Sequence, residues 1–165
     1  MIRAGDVMNR QVISIPSGSS LRTATALLLA HGINALPVLA DTGRVVGVVG
    51  IRDVLRTPLS SHDARPVLRW DSVAEKAASL ATTTVDQVMT RRRIVSVEED
   101  APIMDVAGIM ANQGVHPILV LRGGDLVGVI GRADVARVLI EMSDPDRAAD
   151  PLVTAPRGLE DVVTG

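Results

Sequence analysis

The sequence contains no cysteine, which excludes both disulfide bonds and thiolate metal sites. Phenylalanine and tyrosine are also absent, and Trp70 is the single aromatic residue among 165. A planar ligand would therefore be held between aliphatic side chains rather than stacked on protein rings. The core has to be built from Val, Ile, Leu, Met and Ala, which suits close packing of helices on sheets.

Long apolar runs and one-sided charge are missing as well. No apolar stretch approaches the roughly 20 residues that a membrane-spanning helix needs, and no signal-type apolar segment follows Met1. The formal net charge is -2, and the one basic run, residues 91–93, is interpreted as a solvated loop before a strand. Nucleic-acid binders usually present a clustered basic face. We therefore expect a cytoplasmic protein that binds neither membrane nor nucleic acid.

Residues with catalytic or metal-binding spacing are also lacking. Histidine occurs only at His31, His62 and His116, and the patterns HxxxH and HExxH do not occur. An enzyme would need a nucleophile with a base, paired carboxylates or a metal cluster. We therefore expect no catalytic activity, no metal site and no cofactor.

What the sequence does contain is an internal repeat. The octapeptide "GVVGIRDV" begins at Gly47, and the similar "GVIGRADV" begins at Gly128. The match extends to a "VM" pair near the start of each copy at the same offset, with one residue gained and later lost in between. Loops absorb such length changes when duplicated units diverge. The copies span residues 4–56 and 85–137.

Each copy shows the same order of hydrophobic periodicities. A short β-branched run precedes apolar residues at i, i+3, i+6 and i+7, which form one helix face. Two apolar runs joined by a glycine-containing turn indicate a β-hairpin, and a second helix follows from Asp53 or Asp134. The predicted fold is α/β, with two tandem strand-helix-strand-strand-helix repeats packed as one pseudo-two-fold unit, because one repeat alone has too little core. The predicted strands include 13–15 and 94–97, and the predicted helices include 21–30 and 103–111.

Composition suggests where the repeats begin and end. We assign residues 1–60 to the first repeat and residues 85–142 to the second. Residues 61–84 form a linker, in which a capping-box pattern starting at Ser72 predicts a short helix. Residues 143–165 are rich in Pro, Asp, Gly and Ala and are predicted to form an extended tail.

The ordered motifs resemble those of a CBS domain in both copies. The first copy carries "DVM", "ISIP", "GINALPV" and "VVGVVGIRDV" in that order between Asp6 and Val54. Two such copies in tandem resemble a Bateman module. The resemblance implies a regulatory module that binds an adenosine compound (AMP, ADP, ATP or, in some members, S-adenosylmethionine) between the paired repeats. It also implies a homodimer of modules and an effector protein of unknown identity.

The resemblance further implies which residues line the two clefts. The aspartate at the end of each octapeptide would take the ribose hydroxyls, and the helix start beside it would take a phosphate. The first strand and the start of the second strand would hold the base. In the first copy these positions are Ser14, Ile15, Ala35, Leu36, Pro37, Gly50, Arg52 and Asp53. In the second copy they are Ser96, Val97, His116, Gly131, Arg132 and Asp134.

Departures from the family pattern predict that the two clefts differ. Gly50 and Gly131 stand where the family usually has a Ser or Thr, whose hydrogen bond is worth about 0.5–1.5 kcal/mol. Only the first copy keeps the family's proline, Pro37, and an arginine beside its aspartate, Arg52. The acidic run 98–100 is predicted to disfavour polyphosphate in the second cleft. We therefore predict that the first cleft is the working one.

Alternatives stay open at this point. Asp53 and Asp134 are also suited to capping helices, as Asp often is. Ile15 and Leu36 are equally suited to the core. Because Gly50 and Gly131 both lack the hydroxyl of the family pattern, the alternative function is a ligand-free structural or protein-interaction CBS module.

Overall fold

The computed structural model describes residues 1–56, 70–92, 94–115 and 117–143. Within these ranges the chain forms two three-stranded sheets flanked by helices, which confirms the predicted α/β class. The predicted tail beyond Ser143 and the first part of the predicted linker, residues 61–69, lie outside the described residues. The boundaries assigned to linker and tail therefore stay predictions.

The elements of the two repeats follow the same order. The first repeat contains α1 (Ala4–Val7), β1 (Ile15–Pro16), α2 (Leu21–Ala30), β2 (Ala35–Leu39), β3 (Val45–Gly50) and α3 (Ile51–Arg56). Helix α4 (Trp70–Thr82) comes between the repeats. The second repeat contains α5 (Val85–Val88), β4 (Ser96–Glu98), α6 (Ile103–Gln113), β5 (Ile118–Arg122), β6 (Asp125–Ile130) and α7 (Arg132–Ser143).

Each sheet combines one parallel and one antiparallel pairing. Strand β1 pairs parallel with β2, and β2 forms an antiparallel hairpin with β3. Strands β4, β5 and β6 repeat this arrangement, and both hairpins have a register shift at the matching position, between Val38 and Leu39 and between Val120 and Leu121. The first strands begin two residues later than predicted. The order strand-helix-strand-strand-helix is confirmed in both copies.

The amphipathic helices bury the face that their periodicity predicts. Helix α2 buries Leu21, Ala24 and Leu28, and α6 buries the corresponding residues of the second copy. Helix α6 ends at Gly114, whose φ of 62° lies in the left-handed region that glycine tolerates. Glycine therefore stops this helix where the sequence predicts.

The connecting helix differs from its prediction. Helix α4 begins at Trp70 and runs for 13 residues, so Ser72 lies in its first turn and not at the cap. Serine and acidic residues are common throughout a first helical turn, so the capping-box pattern alone does not fix the boundary. Leu80 of this helix packs against the core of the first repeat.

The first short helix of each repeat packs on the other repeat, which the sequence did not predict. Ala4 and Met8 belong to the core of the second repeat, whereas Val85 and Met89 belong to the core of the first. Because each core is completed by the partner repeat, the two copies form one interlocked body. This arrangement confirms the predicted single unit and gives it a specific cause.

The contact of α1 with the second repeat and the contact of α5 with the first repeat are the two junctions of the molecule. Their backbone hydrogen bonds occur at equivalent positions. The Ala4 N-H donates to the Ala101 carbonyl (2.8 Å), and at the equivalent position the Val85 N-H donates to the Ser19 carbonyl (2.9 Å). Isolated antiparallel bridges join Asn9 to Val129 and Val48 to Thr90 in the same symmetric way. The pseudo-two-fold relation therefore extends to the contacts between the repeats.

The first glycine of each octapeptide makes room for this exchange. A Cβ atom on Gly47 would lie 2.7 Å from the Cγ of Met89 and closer still to its Sδ, and a Cβ on Gly128 would meet Met8 in the same way. Real Cβ atoms do not approach other atoms so closely, so a side chain at either position would displace the methionine. The octapeptide occurs twice partly because each copy receives a methionine from the other.

Candidate functional site

The predicted residues of the first copy gather at one end of its sheet. Ala35 pairs with Gly50 across the β2-β3 hairpin, so the start of one strand lies beside the end of the other. Ile15 pairs with Val38, which puts Ser14 at the level of Pro37. Helix α3 starts directly after Gly50 at the same end. We call this end of the sheet, residues 14, 35–37 and 50–53, the first cleft.

The corresponding residues of the second copy form the second cleft, at the end of the sheet where β4 and β5 begin and β6 ends. It comprises Ser96, Val97, Gly131, Arg132 and Asp134, and Ile118 pairs with Ile130 at this end. The predicted residue His116 lies outside the described residues.

The two aspartates are held in the same way. Helices α3 and α7 begin at Ile51 and Arg132, two residues earlier than predicted, so each aspartate is the third residue of its helix. The Gly50 N-H donates to Asp53 Oδ2 (2.8 Å), and the Gly131 N-H donates to Asp134 Oδ2 (2.7 Å). This is the return half of a capping box. A capping role is therefore present in both copies, and it fixes the orientation of both carboxylates.

Several predicted cleft residues are buried in the core. Ile15 and Leu36 have at most 1% of their surface exposed, and Pro37 is also buried. The side chains of Ile15 and Leu36 belong to the core of the first repeat, which confirms the core alternative for these two residues. Arg52 is exposed, whereas Ser14, Ala35 and Asp53 are half-buried. In the second copy, Ser96 and Arg132 are exposed, and Val97, Gly131 and Asp134 are half-buried.

The second glycine of the octapeptide has a different environment in each copy. A Cβ atom on Gly50 would lie 2.7 Å from the carbonyl oxygen of Asn34, which belongs to the backbone and cannot move aside easily. For Gly131, the one described neighbour within 4 Å of a Cβ would be Asp134 Oδ2, at 3.3 Å. Glycine is therefore required at position 50 by packing, whereas a small side chain at position 131 would need only a slight shift of the Asp134 side chain.

The strand pairing at the two clefts also differs. In the second copy, the Leu119 N-H donates to the Val95 carbonyl (3.1 Å) just before β4 begins. The equivalent residue in the first copy is Pro37, which has no N-H to donate. The carbonyl of Ile13, the counterpart of Val95, therefore receives no such bond, and β1 is one residue shorter than β4. The first cleft therefore lacks this hydrogen bond between its first two strands.

The predicted effect of the acidic run 98–100 is wrong. Because β4 runs parallel to β5, these residues lie at the hairpin end of the sheet, away from Gly131. Glu98 Oε2 accepts the Gly123 N-H (3.2 Å), and Glu99 binds Arg122 through two hydrogen bonds of 2.8 and 2.7 Å. The Arg122 guanidinium also lowers the pKa of Glu99. These charges therefore do not repel a ligand in the second cleft.

An open cavity of about 430 Å³ lies at the same end of the second sheet. None of its lining residues is among the predicted site residues, and Arg92 falls in the basic run that we interpret from the sequence as a solvated loop. Arg91 and Arg92 are both exposed, but Arg91 binds Asp86, whereas Arg92 lines the cavity. The described residues that line the cavity are Arg92, Ile94, Val95, Asn112, Gln113 and Val115.

The described residues contain neither a membrane-spanning helix nor a metal-binding cluster. No helix in these ranges is both long and apolar enough to cross a membrane. Across the same residues, no cluster of three or more His, Cys, Asp or Glu side chains could hold a metal ion.

Comparison with known proteins gives relatives with the same repeat. The chain is 28% identical over 141 residues to hypoxic response protein 1 of Mycobacterium tuberculosis, covering 86% of this chain and 87% of that one. It is also 28% identical over 155 residues to the uncharacterized protein MJ0188 of Methanocaldococcus jannaschii, covering 93% of this chain. The chain spans only 50% of the length of MJ0188.

Solved structures share the fold at lower identity. The CBS domain pair of protein MJ0100, solved in complex with 5′-methylthioadenosine and S-adenosyl-L-methionine, superposes with a TM-score of 0.66 at 22% identity, covering 86% of this chain and 98% of that one. CBSX2 in complex with AMP superposes with a TM-score of 0.68 at 21% identity, covering 87% of this chain and 100% of that one.

The overall fold of the two repeats agrees with these neighbours. The family model for the CBS domain matches residues 4–60 and 85–141, which together are more than half of the chain. The chain therefore belongs to the CBS-domain family and contains two CBS domains in tandem.

Proposed function

We propose that this CBS pair is a regulatory module, not an enzyme, that binds an adenosine nucleotide (AMP, ADP or ATP) between its repeats and signals to an effector protein. The observation that carries the proposal is the fixed carboxylate at each strand-helix junction. In both copies a backbone N-H holds one aspartate oxygen, so the side chain is oriented before any ligand arrives. A preorganised acceptor of this kind suits the two hydroxyls of a ribose, and ordering costs little on binding.

We further propose that the first cleft binds more tightly than the second. Its strand pairing opens at Pro37, which leaves the Ile13 carbonyl to accept a hydrogen bond from the amino group of adenine. The exposed Arg52 stands beside Asp53 at the helix start, where a phosphate would benefit from both the cation and the backbone N-H groups. In the second cleft, the Leu119 N-H already occupies the Val95 carbonyl.

A thermal-shift screen with AMP, ADP, ATP and S-adenosylmethionine tests the proposal. A ligand present at 100 times its dissociation constant adds about 2.7 kcal/mol to the free energy of unfolding, which corresponds to a rise of about 5–10 °C in Tm for a chain of this size. Ribose 5-phosphate, which lacks the base, is the matched control and should give no shift. The proposal fails if no adenosine compound raises Tm at millimolar concentration.

A ligand-free interaction module is the second candidate, and one observation favours it. Large apolar side chains are exposed on several helices, among them Leu29, Leu55, Met104, Leu139, Ile140 and Met142. Exposed apolar surface of this kind marks interaction sites. We propose that a second copy of the chain covers it, giving a homodimer. Light scattering should then report about twice 17.4 kDa, and a monomer with and without nucleotide would remove dimerisation from the proposal.

A further inference from the structure

The cavity beside the second sheet combines an apolar wall with one positive charge. Ile94, Val95 and Val115 supply aliphatic surface, and Asn112 and Gln113 supply amide groups. Arg92 is the one charged side chain among the described lining residues, and no carboxylate is among them. Such a lining suits a ligand with an apolar planar part and an anionic end. The volume of about 430 Å³ falls in the range typical of small-molecule sites.

The neighbouring arginine is engaged elsewhere. Arg91 Nη2 donates to the Asp86 backbone carbonyl (3.1 Å) and lies 3.9 Å from the Asp86 carboxylate. In the first copy, Arg10 Nη2 donates to the Gly5 carbonyl (3.0 Å) in the same way. Arg91 therefore has a structural role, which Arg10 repeats in the first copy, whereas Arg92 lines the cavity.

The first cleft has no equivalent cation at this position. Because Arg10 corresponds to Arg91, the residue that corresponds to Arg92 is Gln11, which is neutral. A guanidinium can form charge-assisted hydrogen bonds with phosphate oxygens, and an amide cannot supply that charge. The two clefts should therefore respond differently to the charge of the ligand.

We infer that Arg92 makes the cavity of the second repeat selective for adenosine nucleotides that carry more phosphate groups. The aliphatic wall takes the base, and Arg92 takes the phosphate end. This inference rests on the proposed function, because the apolar part of the ligand is the adenine. It adds that the second cleft distinguishes ATP from AMP and adenosine through Arg92, a cation with no equivalent at the matching position of the first cleft.

Methyl NMR of the full chain tests the inference, with the Val95 and Val115 methyl groups as local reporters. Adenosine, AMP and ATP are titrated into wild type, Arg92→Gln and Arg91→Gln at a fixed ionic strength. In wild type, ATP should bind at these methyls at least tenfold more tightly than adenosine. Arg92→Gln should weaken the affinity for ATP about tenfold, which is the effect expected from the loss of one charged hydrogen bond. The affinity for adenosine should stay within about twofold of wild type.

The matched control is Arg91→Gln, which removes the same charge one residue away and should keep the preference for ATP. If the two substitutions reduce the affinity for ATP equally, the inference is wrong, whereas the proposed function, binding of an adenosine compound, still stands. Equal affinities of wild type for adenosine and ATP would overturn it as well. If none of the three compounds shifts any methyl signal of wild type, the proposed function itself fails and the inference fails with it.

Discussion

The two repeats keep the same frame, by which we mean the sheet, the helices and the contacts with the other repeat. They differ at their clefts. Both frames seat a methionine from the other repeat over a glycine, Gly47 in one and Gly128 in the other. Both also hold an aspartate to the second glycine of the octapeptide. The duplicated positions that agree most closely are therefore the ones that join the repeats and start the helices, which are structural tasks.

The differences concern groups that would touch a ligand. The first cleft has Pro37, which cannot donate a hydrogen bond to the first strand, and its second glycine is packed against the Asn34 carbonyl. The second cleft has that hydrogen bond, a cavity that Arg92 lines and only the Asp134 side chain close to Gly131 among the described residues. The comparison indicates that interlocking constrains the frame of both copies, whereas each cleft can be tuned alone.

Separating the repeats should have the largest effect. A fragment of residues 1–70 lacks Val85 and Met89, which complete the first core, and leaves its own Ala4 and Met8 without their partners in the second core. We expect no cooperative thermal transition by circular dichroism. A fragment of residues 1–92, which includes α5, should recover a transition. A stable, monomeric 1–70 fragment would contradict the interlocked frame.

Replacing the aspartates compares the two clefts directly. Both Asp53→Ala and Asp134→Ala lose the same helix-start hydrogen bond, so each should reduce the free energy of unfolding by about 1 kcal/mol. Asp53→Ala should in addition weaken AMP binding about 10- to 150-fold, through the loss of charged hydrogen bonds of about 1.5–3 kcal/mol. Calorimetry should show a much smaller loss for Asp134→Ala. A loss confined to Asp134→Ala would mean that the second cleft is the tighter one.

Serine at the second glycine of each octapeptide should have different effects in the two copies. Gly50→Ser brings a Cβ against the Asn34 carbonyl and should reduce stability by about 1–3 kcal/mol. Gly131→Ser needs only a slight shift of the Asp134 side chain and introduces the hydroxyl typical of the family. It should leave Tm unchanged and tighten nucleotide binding at the second cleft by about 2- to 12-fold. Similar Tm values for the two variants would show that the packing at Gly50 is unimportant.

The smallest effect concerns the junction that α5 makes with the first repeat. The Ser17 hydroxyl and the Gly18 N-H both donate to the Asp86 carboxylate, and these hydrogen bonds lower the pKa of Asp86. The stabilisation is therefore present above the ordinary carboxyl pKa of about 3.9 and is lost as the pH falls through the lowered pKa.

Asp86→Asn should accordingly reduce Tm by about 2–4 °C at pH 7, which corresponds to roughly 1 kcal/mol for a partly exposed group. The difference from wild type should shrink towards zero near pH 2. The other junction has Gly5 in place of Asp86 and uses a backbone N-H to the Glu99 carbonyl, which does not titrate. A Tm difference that persists unchanged in acid would show that the Asp86 charge does not stabilise the junction.

The sequence predicted local structure better than contacts between repeats. Helix faces and hairpins were predictable because their apolar periodicity is local, and the duplication supported each prediction twice. The exchange of α1 and α5 was not predictable, since a "VM" pair looks the same whichever core it enters. The acidic run was misplaced because its position depends on the direction of β4 relative to β5. Arg92 was missed because a loop carries no periodic signal.

The central claim is that AMP binds in the first cleft before the second, and methyl NMR tests it most directly. Trp70 is the only aromatic residue of the chain, so the ring of a bound adenine should give clear shifts of nearby methyl signals. During an AMP titration, the methyl groups of Ile13 and Ile33, which lie next to the first cleft in the chain, should shift at lower concentration than those of their counterparts Val95 and Val115. Earlier shifts at Val95 and Val115, or no shift at millimolar AMP, would contradict the account.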